Sequence, residues 1–184
     1  KIALNLERAR EHQGRDASRP LVQVNVPSFS LEARDPGMNT HGAALTMKVM
    51  VGRAEDNKST PLFNSKLTAI TLRPYWNVPT GIVRKEIIPA INAHPGYLLK
   101  NEMELVSEAV VGDAFVVEPS LENLNKAASG AFTLRQRPGT KNALGLFKFS
   151  FPNSSQIYLH GTPKVALFSR VRRDFSHGCI RLED

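Results

Sequence analysis

The stretch Phe147-Lys148-Phe149-Ser150-Phe151-Pro152-Asn153-Ser154-Ser155-Gln156-Ile157-Tyr158-Leu159-His160 decides the fold. Its first five residues alternate phenylalanine with polar side chains. That is the period of a half-buried strand, whose successive side chains point to opposite faces. The phenylalanines are therefore read as core rather than as a ligand-binding stripe. Proline and a polar run break the pattern. It resumes in Ile157 to His160, where Ile157 and Leu159 share one face and Tyr158 and His160 the other. A histidine is thus delivered at the end of a strand.

The same period of two recurs upstream in Val22, Val24 and Val26, in Phe29, Leu31 and Ala33, and in Leu45, Met47, Val49 and Val51, with Asp35-Pro36-Gly37 as a turn between strands. Further strands are expected from Pro61 through Leu67 to Leu72 and over Phe132 to Gln136. Between Pro74 and Gly130 the pattern is mixed. It holds a helical stretch near Ile82 to Ile91 that contains Pro89, a His94-Pro95-Gly96 turn, and a helix opened by Ser120. Residues 74–130 are read as an inserted subdomain. Ile2, Leu6 and Ala9 lie at helical spacing, so residues 1–20 read as a short linker helix entering the domain. Twelve Gly and twelve Pro, spread along 184 residues, suit many tight turns between short strands better than a helical bundle. The expectation is one globular domain, mostly β with a few helices.

A net charge of +7 and a pI near 9.8 favour an anionic partner. The basic residues form no long run and no nucleic-acid-binding motif; their densest cluster is Arg170, Arg172 and Arg173. No run of about 18 apolar residues predicts a membrane span. The single cysteine excludes an internal disulfide. Lys1 rather than Met opens the chain, so an upstream segment is expected that has been removed or lies outside this sequence.

Fifteen residues after His160 comes Ser176-His177-Gly178-Cys179-Ile180-Arg181. That connection is long enough to fold back and set Cys179 beside His160. A free thiol, with a pKa of about 8.5, is only slightly ionised at neutral pH, and a nearby imidazole can take its proton. Gly178 allows a sharp turn that exposes the sulfur and aims the amide N–H groups of His177, Gly178 and Cys179 at a developing oxyanion. On residue chemistry alone three other readings stay open. The thiol could be buried filler, a redox sensor, or one ligand of a metal site with His160 and His177, although no CxxC or HxxxH spacing is present. Arg181, two residues past the cysteine on an extended chain, returns to the same face, where it could hold a substrate carboxylate or form a surface salt bridge.

The combination His160-Gly161-Thr162, a gap, then Ser176-His177-Gly178-Cys179 resembles the signature of the YkuD-type L,D-transpeptidases. Pro74-Tyr75-Trp76-Asn77-Val78-Pro79, Leu134-Arg135-Gln136-Arg137-Pro138-Gly139, Asn142-Ala143-Leu144-Gly145 and Phe151-Pro152-Asn153 are similar to segments of that family's large, YcbB-type branch. The resemblance covers nearly the whole chain. It implies a β-sandwich-like catalytic fold over residues 21–184, with an α-rich capping subdomain at 74–130, and it places a C-terminal part of the family domain beyond residue 184. Arg181 stands where many members have Asn, as in the large branch, and some of that branch replace the histidine equivalent to His177.

The activity implied is acyl transfer on peptidoglycan stem peptides, with a tetrapeptide donor, an amine acceptor, a thioester on Cys179, release of terminal D-Ala and a 3-3 cross-link. His160 is the implied base, the Gly161 carbonyl orients it, and His177 and Gly178 complete the catalytic set. Arg181, Tyr158, Trp76 and Ser176 are the substrate-binding candidates. No cofactor or metal is implied. Carbapenems are implied as inhibitors, and the periplasm or cell envelope as the setting. Hydrolysis of the same acyl-enzyme as an L,D-carboxypeptidase, its use to anchor an envelope protein, and a non-catalytic wall-binding module are the alternatives.

Overall fold

The computed structural model describes residues 18–38, 45–55, 58–107 and 115–183. The linker helix expected around Ile2, Leu6 and Ala9 lies outside them. The chain divides into two compact units, Lys1–Lys48 and Val49–Asp184. In the first, β1 (Leu21–Asn25) and β2 (Ser30–Arg34) pair antiparallel, and β2 pairs antiparallel with the start of β3 (Leu45–Met50). The Asp35-Pro36-Gly37 turn appears as a short 3-10 turn over Pro36–Met38, with the Asp35 carboxylate accepting from the Gly37 N–H at 3.0 Å.

The second unit holds two sheets. In the first, β11 (Ile180–Leu182) lies between Val49–Met50 of β3 and β10 (Leu159–His160), followed by β9 (Phe147–Ser150) and β4 (Ala69–Leu72) at the edge. All neighbours are antiparallel except β10 and β11. The strand expected from Pro61 is confined to Ala69–Leu72. Ahead of it, Thr68 ties to the Ser150 carbonyl through both its N–H (2.9 Å) and its hydroxyl (3.1 Å).

The second sheet is formed by β5 (Trp76–Asn77), β8 (Phe132–Gln136), β6 (Met103–Ser107) and β7 (Val116–Val117), in that order. Leu105 sits opposite Leu134 on β6 and β8, and each is 1% exposed. Helical turns over Thr80–Ile82, Val83–Ile87 and Ile88–Ala93 follow one another as α1. Its middle turn is wound as a π-helix. Pro89 has no N–H and its ring would crowd the carbonyl four residues back, and the wider π turn just before it relieves that conflict. After α2 (Tyr97–Lys100), α3 (Leu121–Ser129) starts where Ser120 accepts from the Asn123 N–H at 3.2 Å, an ordinary N-cap. Val83 and Ile87 of α1, Leu98 of α2 and Leu124 and Ala127 of α3 pack with Leu105 and Leu134 in one core.

The segment 74–130, read as a mixed-pattern, α-rich insert, holds strands as well as helices, and its sheet runs on to Gln136. Polypeptide leaves the first sheet near Pro74 and returns past Gln136, and one side chain ties the two passages together. Asn142 is fully buried; its amide nitrogen donates to the carbonyls of Pro74 (3.0 Å), Gln136 (3.3 Å) and Arg137 (2.9 Å), and its oxygen accepts from the Leu144 N–H (2.8 Å). Buried polar groups left without partners cost roughly 1–3 kcal/mol each. Asn142→Ala is therefore expected to lower stability by about 3 kcal/mol or more, read as a shift of the urea midpoint. A change below about 0.5 kcal/mol would show that the tie is dispensable.

Candidate active site

The parallel pair β10 and β11 builds the site. Leu159 is registered with Ile180 and His160 with Arg181, and the Ile180 N–H donates to the Tyr158 carbonyl at 3.1 Å, which brings Cys179 alongside Tyr158. Registered residues of neighbouring strands point to the same face. Leu159 and Ile180 are buried on one face, at 7% and 6% exposure. Tyr158, His160, Cys179 and Arg181 therefore share the other. Lys148, registered with His160 across β9, joins them. Cys179 and His160 are diagonal on this face, with Cα atoms about 8 Å apart by strand spacing and a two-residue step.

A parallel pair needs a crossover, supplied here by the segment between His160 and Cys179. Its middle forms a 3-10 turn, Val165–Ser169, anchored by buried Phe168. Its end is laid against the chain after β3: the Val51 N–H donates to Arg173 O (3.0 Å), the Ser176 N–H to Val51 O (3.0 Å) and the Arg53 N–H to Ser176 O (3.1 Å). The sulfur is thereby delivered from a braced turn.

His160 is 4% exposed, and its Nδ1 lies 2.6 Å from the Gly161 carbonyl. A carbonyl can only accept, so Nδ1 carries the proton and Nε2 keeps a free lone pair. Burial, and secondarily the cationic Arg181 and Lys148, push its pKa down to about 4 against the raising effect of the Gly161 bond. The ring is neutral at neutral pH. Burial also pushes the Cys179 thiol up, opposed by hydrogen bonds from Tyr158 and the charges of Arg181 and Lys148. The sulfur lies 3.8 Å from the Gln156 carbonyl. Tyr158, raised by burial and by the neighbouring thiol, stays a phenol beside Cys179, its ring 5.4 Å from that of His160 and 4.4 Å from the Lys148 ammonium.

Cys179 and His160 thus share a face and a cleft without a ground-state hydrogen bond; the thiol donates instead to the Gln156 carbonyl. A neutral thiol and a neutral imidazole are the resting pair. Such contacts commonly tighten only when substrate binds.

The cleft, of ≈1060 Å³, is bounded by this sheet face and by residues of α1 and β5, including Trp76, Ile82 and Glu86. Trp76 is half-buried, with its packing against the core of the second sheet. Arg181 is part-buried, its Nε has no hydrogen-bond partner among the described residues, and burial lowers its pKa. Among the described residues that line the cleft, Glu86 is the one acid, and it is taken by His177, whose Nε2 lies 2.7 Å from its carboxylate.

The turn's own hydrogen bonds narrow one expectation, that of the oxyanion donors. Ser176 is 1% exposed, and its hydroxyl accepts from the Gly178 N–H at 3.0 Å while donating to the Cys179 carbonyl. It braces the turn at the cleft wall, with its hydroxyl committed to backbone. The same bond occupies the Gly178 N–H, which leaves the oxyanion candidates at the His177 and Cys179 amides. Nor do His160, His177 and Cys179 form a ligand set: no three His, Cys, Asp or Glu side chains converge among the described residues.

Lys148, Gln156 and Glu86 belong to the site and were not singled out in the sequence. Lys148 reads there only as the polar partner of a half-buried strand. Its parity on the strand was legible, but its alignment with His160 was not.

Two comparisons bear on this geometry. A profile of the YkuD family, the L,D-transpeptidase catalytic domain, matches residues 19–184. A protein of Haemophilus influenzae named "Putative L,D-transpeptidase" is 32% identical across the whole of this chain, which spans 35% of that protein's length. With a match over nearly all its residues, the chain belongs to the YkuD family of L,D-transpeptidase catalytic domains.

Proposed function

We propose that this domain forms 3-3 cross-links between peptidoglycan stem peptides through a thioester on Cys179, in the bacterial periplasm. The observation that carries the reading is the placement of Tyr158, His160, Cys179 and Arg181 on one face of a parallel strand pair, at the floor of a cleft. Peptide chemistry fits that floor. A thiol that rests protonated must lose its proton as it attacks, and neutral His160 can accept it at Nε2.

In the proposed sequence the Cys179 sulfur bonds to the carbonyl carbon at the L-centre of the third stem residue while its proton passes to His160. The carbonyl oxygen becomes an oxyanion facing the Cys179 N–H. Collapse breaks the bond to D-Ala, whose amine leaves with the proton from His160. A side-chain amine of a second stem then gives its proton to His160, attacks the thioester and restores the thiol. Tyr158 holds the sulfur by its hydroxyl, and Gly161 fixes the imidazole tautomer.

Stem peptides carry carboxylates, and the cleft lining holds Lys141, Lys148, Lys164 and Arg181 against one paired acid. A partly buried guanidinium with an unpartnered Nε is suited to a substrate carboxylate. We assign Arg181 that role. Trp76 and α1 serve in this reading as the cap over the donor peptide.

Incubation of the protein with a tetrapeptide muropeptide donor, or with a carbapenem, is expected to add one acyl group to Cys179 by intact mass. Cys179→Ala should abolish the adduct, and an unmodified wild-type protein would refute the reading. Dimeric products mark transpeptidation; shortened monomers would mark a carboxypeptidase instead. His160→Gln is expected to slow acylation by about 10²–10⁴-fold, measured by quenched-flow mass spectrometry.

The pH dependence has a definite sign. His160 accepts a proton only when neutral, so acylation should fall as pH drops through about 4. Arg181 is among the charges that hold this pKa down, so Arg181→Met should move the acid limb upward. An acid limb that persists unchanged in His160→Gln would remove His160 from the base role.

A further inference from the structure

We propose that Thr60 is a positioning residue for this reaction, one that aims the Cys179 N–H into the cleft. Thr60 lies 118 residues before Gly178 and is 7% exposed. Its hydroxyl accepts from the Gly52 N–H at 2.8 Å and donates to the Gly178 carbonyl at 2.7 Å. Both of its bonds are to backbone, and one of them fixes the peptide that joins Gly178 to the nucleophile.

The peptide unit is planar and trans, so its C=O and N–H point in opposite directions. Holding the Gly178 carbonyl on Thr60 turns the Cys179 N–H the other way. Thr60 and Gly52 are buried and take no part in the cleft wall, whereas Cys179 does. The Cys179 N–H makes no hydrogen bond among the described residues. Buried N–H groups seldom go without an acceptor, and the cleft side is where a reacting carbonyl oxygen would supply one.

The geometry around this hydroxyl leaves little freedom. A Cβ at Gly52 would collide with the Lys58 carbonyl, the Thr60 nitrogen and the Gly178 Cα, so three backbone segments meet there. Gly178 itself has φ +125°, outside the range of L side chains, and a Cβ on it would come within 2.9 Å of Ile157 Cδ1. Ser176 holds the same turn by the Gly178 N–H and the Cys179 carbonyl. Among the described residues, the Gly178 carbonyl is the backbone group of this turn that is held by a side chain from elsewhere in the chain. Thr60 acts through that carbonyl and touches neither substrate nor sulfur.

This inference rests on the acyl-transfer reading, and one experiment separates the two. Attack on a carbonyl develops an oxyanion; alkylation by iodoacetamide, a displacement at a saturated carbon, develops none on the protein's side. Both rates are measured on Cys179 in the wild type and in Thr60→Val and Thr60→Ser. Thr60→Val is expected to slow acylation by about 10²-fold, as for loss of an oxyanion donor, with alkylation within about twofold of wild type. Thr60→Ser, which keeps the hydroxyl, should restore acylation. Should the valine variant fail to fold by circular dichroism, Thr60→Ala, with room for a water in place of the hydroxyl, carries the same comparison. Equal acylation in Thr60→Val and wild type, or a parallel loss of both reactions in a folded variant, overturns the role of Thr60. A wild type that alkylates but takes no acyl group overturns the transpeptidase reading and this inference with it.

Discussion

The site depends on the parallel pairing of β10 with β11. One register, Leu159 to Ile180 and His160 to Arg181, sends two apolar side chains into the core and four polar ones to the cleft. A slip of one residue would exchange those faces, burying the thiol and the guanidinium and exposing Leu159 or Ile180. Burial of the apolar pair is therefore also what keeps the reactive groups in place. Antiparallel partners on both sides, β9 and Val49–Met50, lock that register further.

The electrostatics follow from where that face lies. His160 is buried beside two cations, so its ring is neutral and basic at one nitrogen only. The thiol is held in its protonated form by the same burial. A preformed thiolate–imidazolium pair is consequently disfavoured, so in the proposed reaction proton transfer is part of the attack. In the proposed reading, the two cations that depress the imidazole are the same groups that attract an anionic peptide. Binding a carboxylate would offset their charge and make the base stronger when a substrate is present.

The nucleophile turn is held by side chains from distant parts of the chain. Ser176 binds it from within, Thr60 from beneath, and Glu86 of α1 holds His177 at its outer edge. Glu86 lies in the π-wound turn next to Pro89, so a local backbone conflict in the helix sits close to the contact between α1 and the turn. Asn142 ties the base of the same segment to the first sheet. The cleft is thereby fixed at its root by neutral hydrogen bonds and at its rim by one solvent-exposed pair.

Local rules were legible in the residues. Alternation in Phe147 to Ser150 and over Phe132 to Gln136 marked strands, Ser120 marked a helix start, and the Ser176 to Cys179 motif with His160 marked the chemistry. These depend on neighbours a few positions apart, where spacing along the chain is spacing in space. The strand from Pro61 was overdrawn and the four-stranded sheet reaching from Trp76 to Gln136 was not resolved, because short apolar runs fit either element until pairing partners are known. Tertiary structure alone decided that Lys148 lies beside His160, that Ser176 faces inward, that His177 meets Glu86 91 residues away and that Thr60 meets Gly178. Strand register and contacts between remote side chains are set by the packing of the whole core, and no local pattern of residues encodes them.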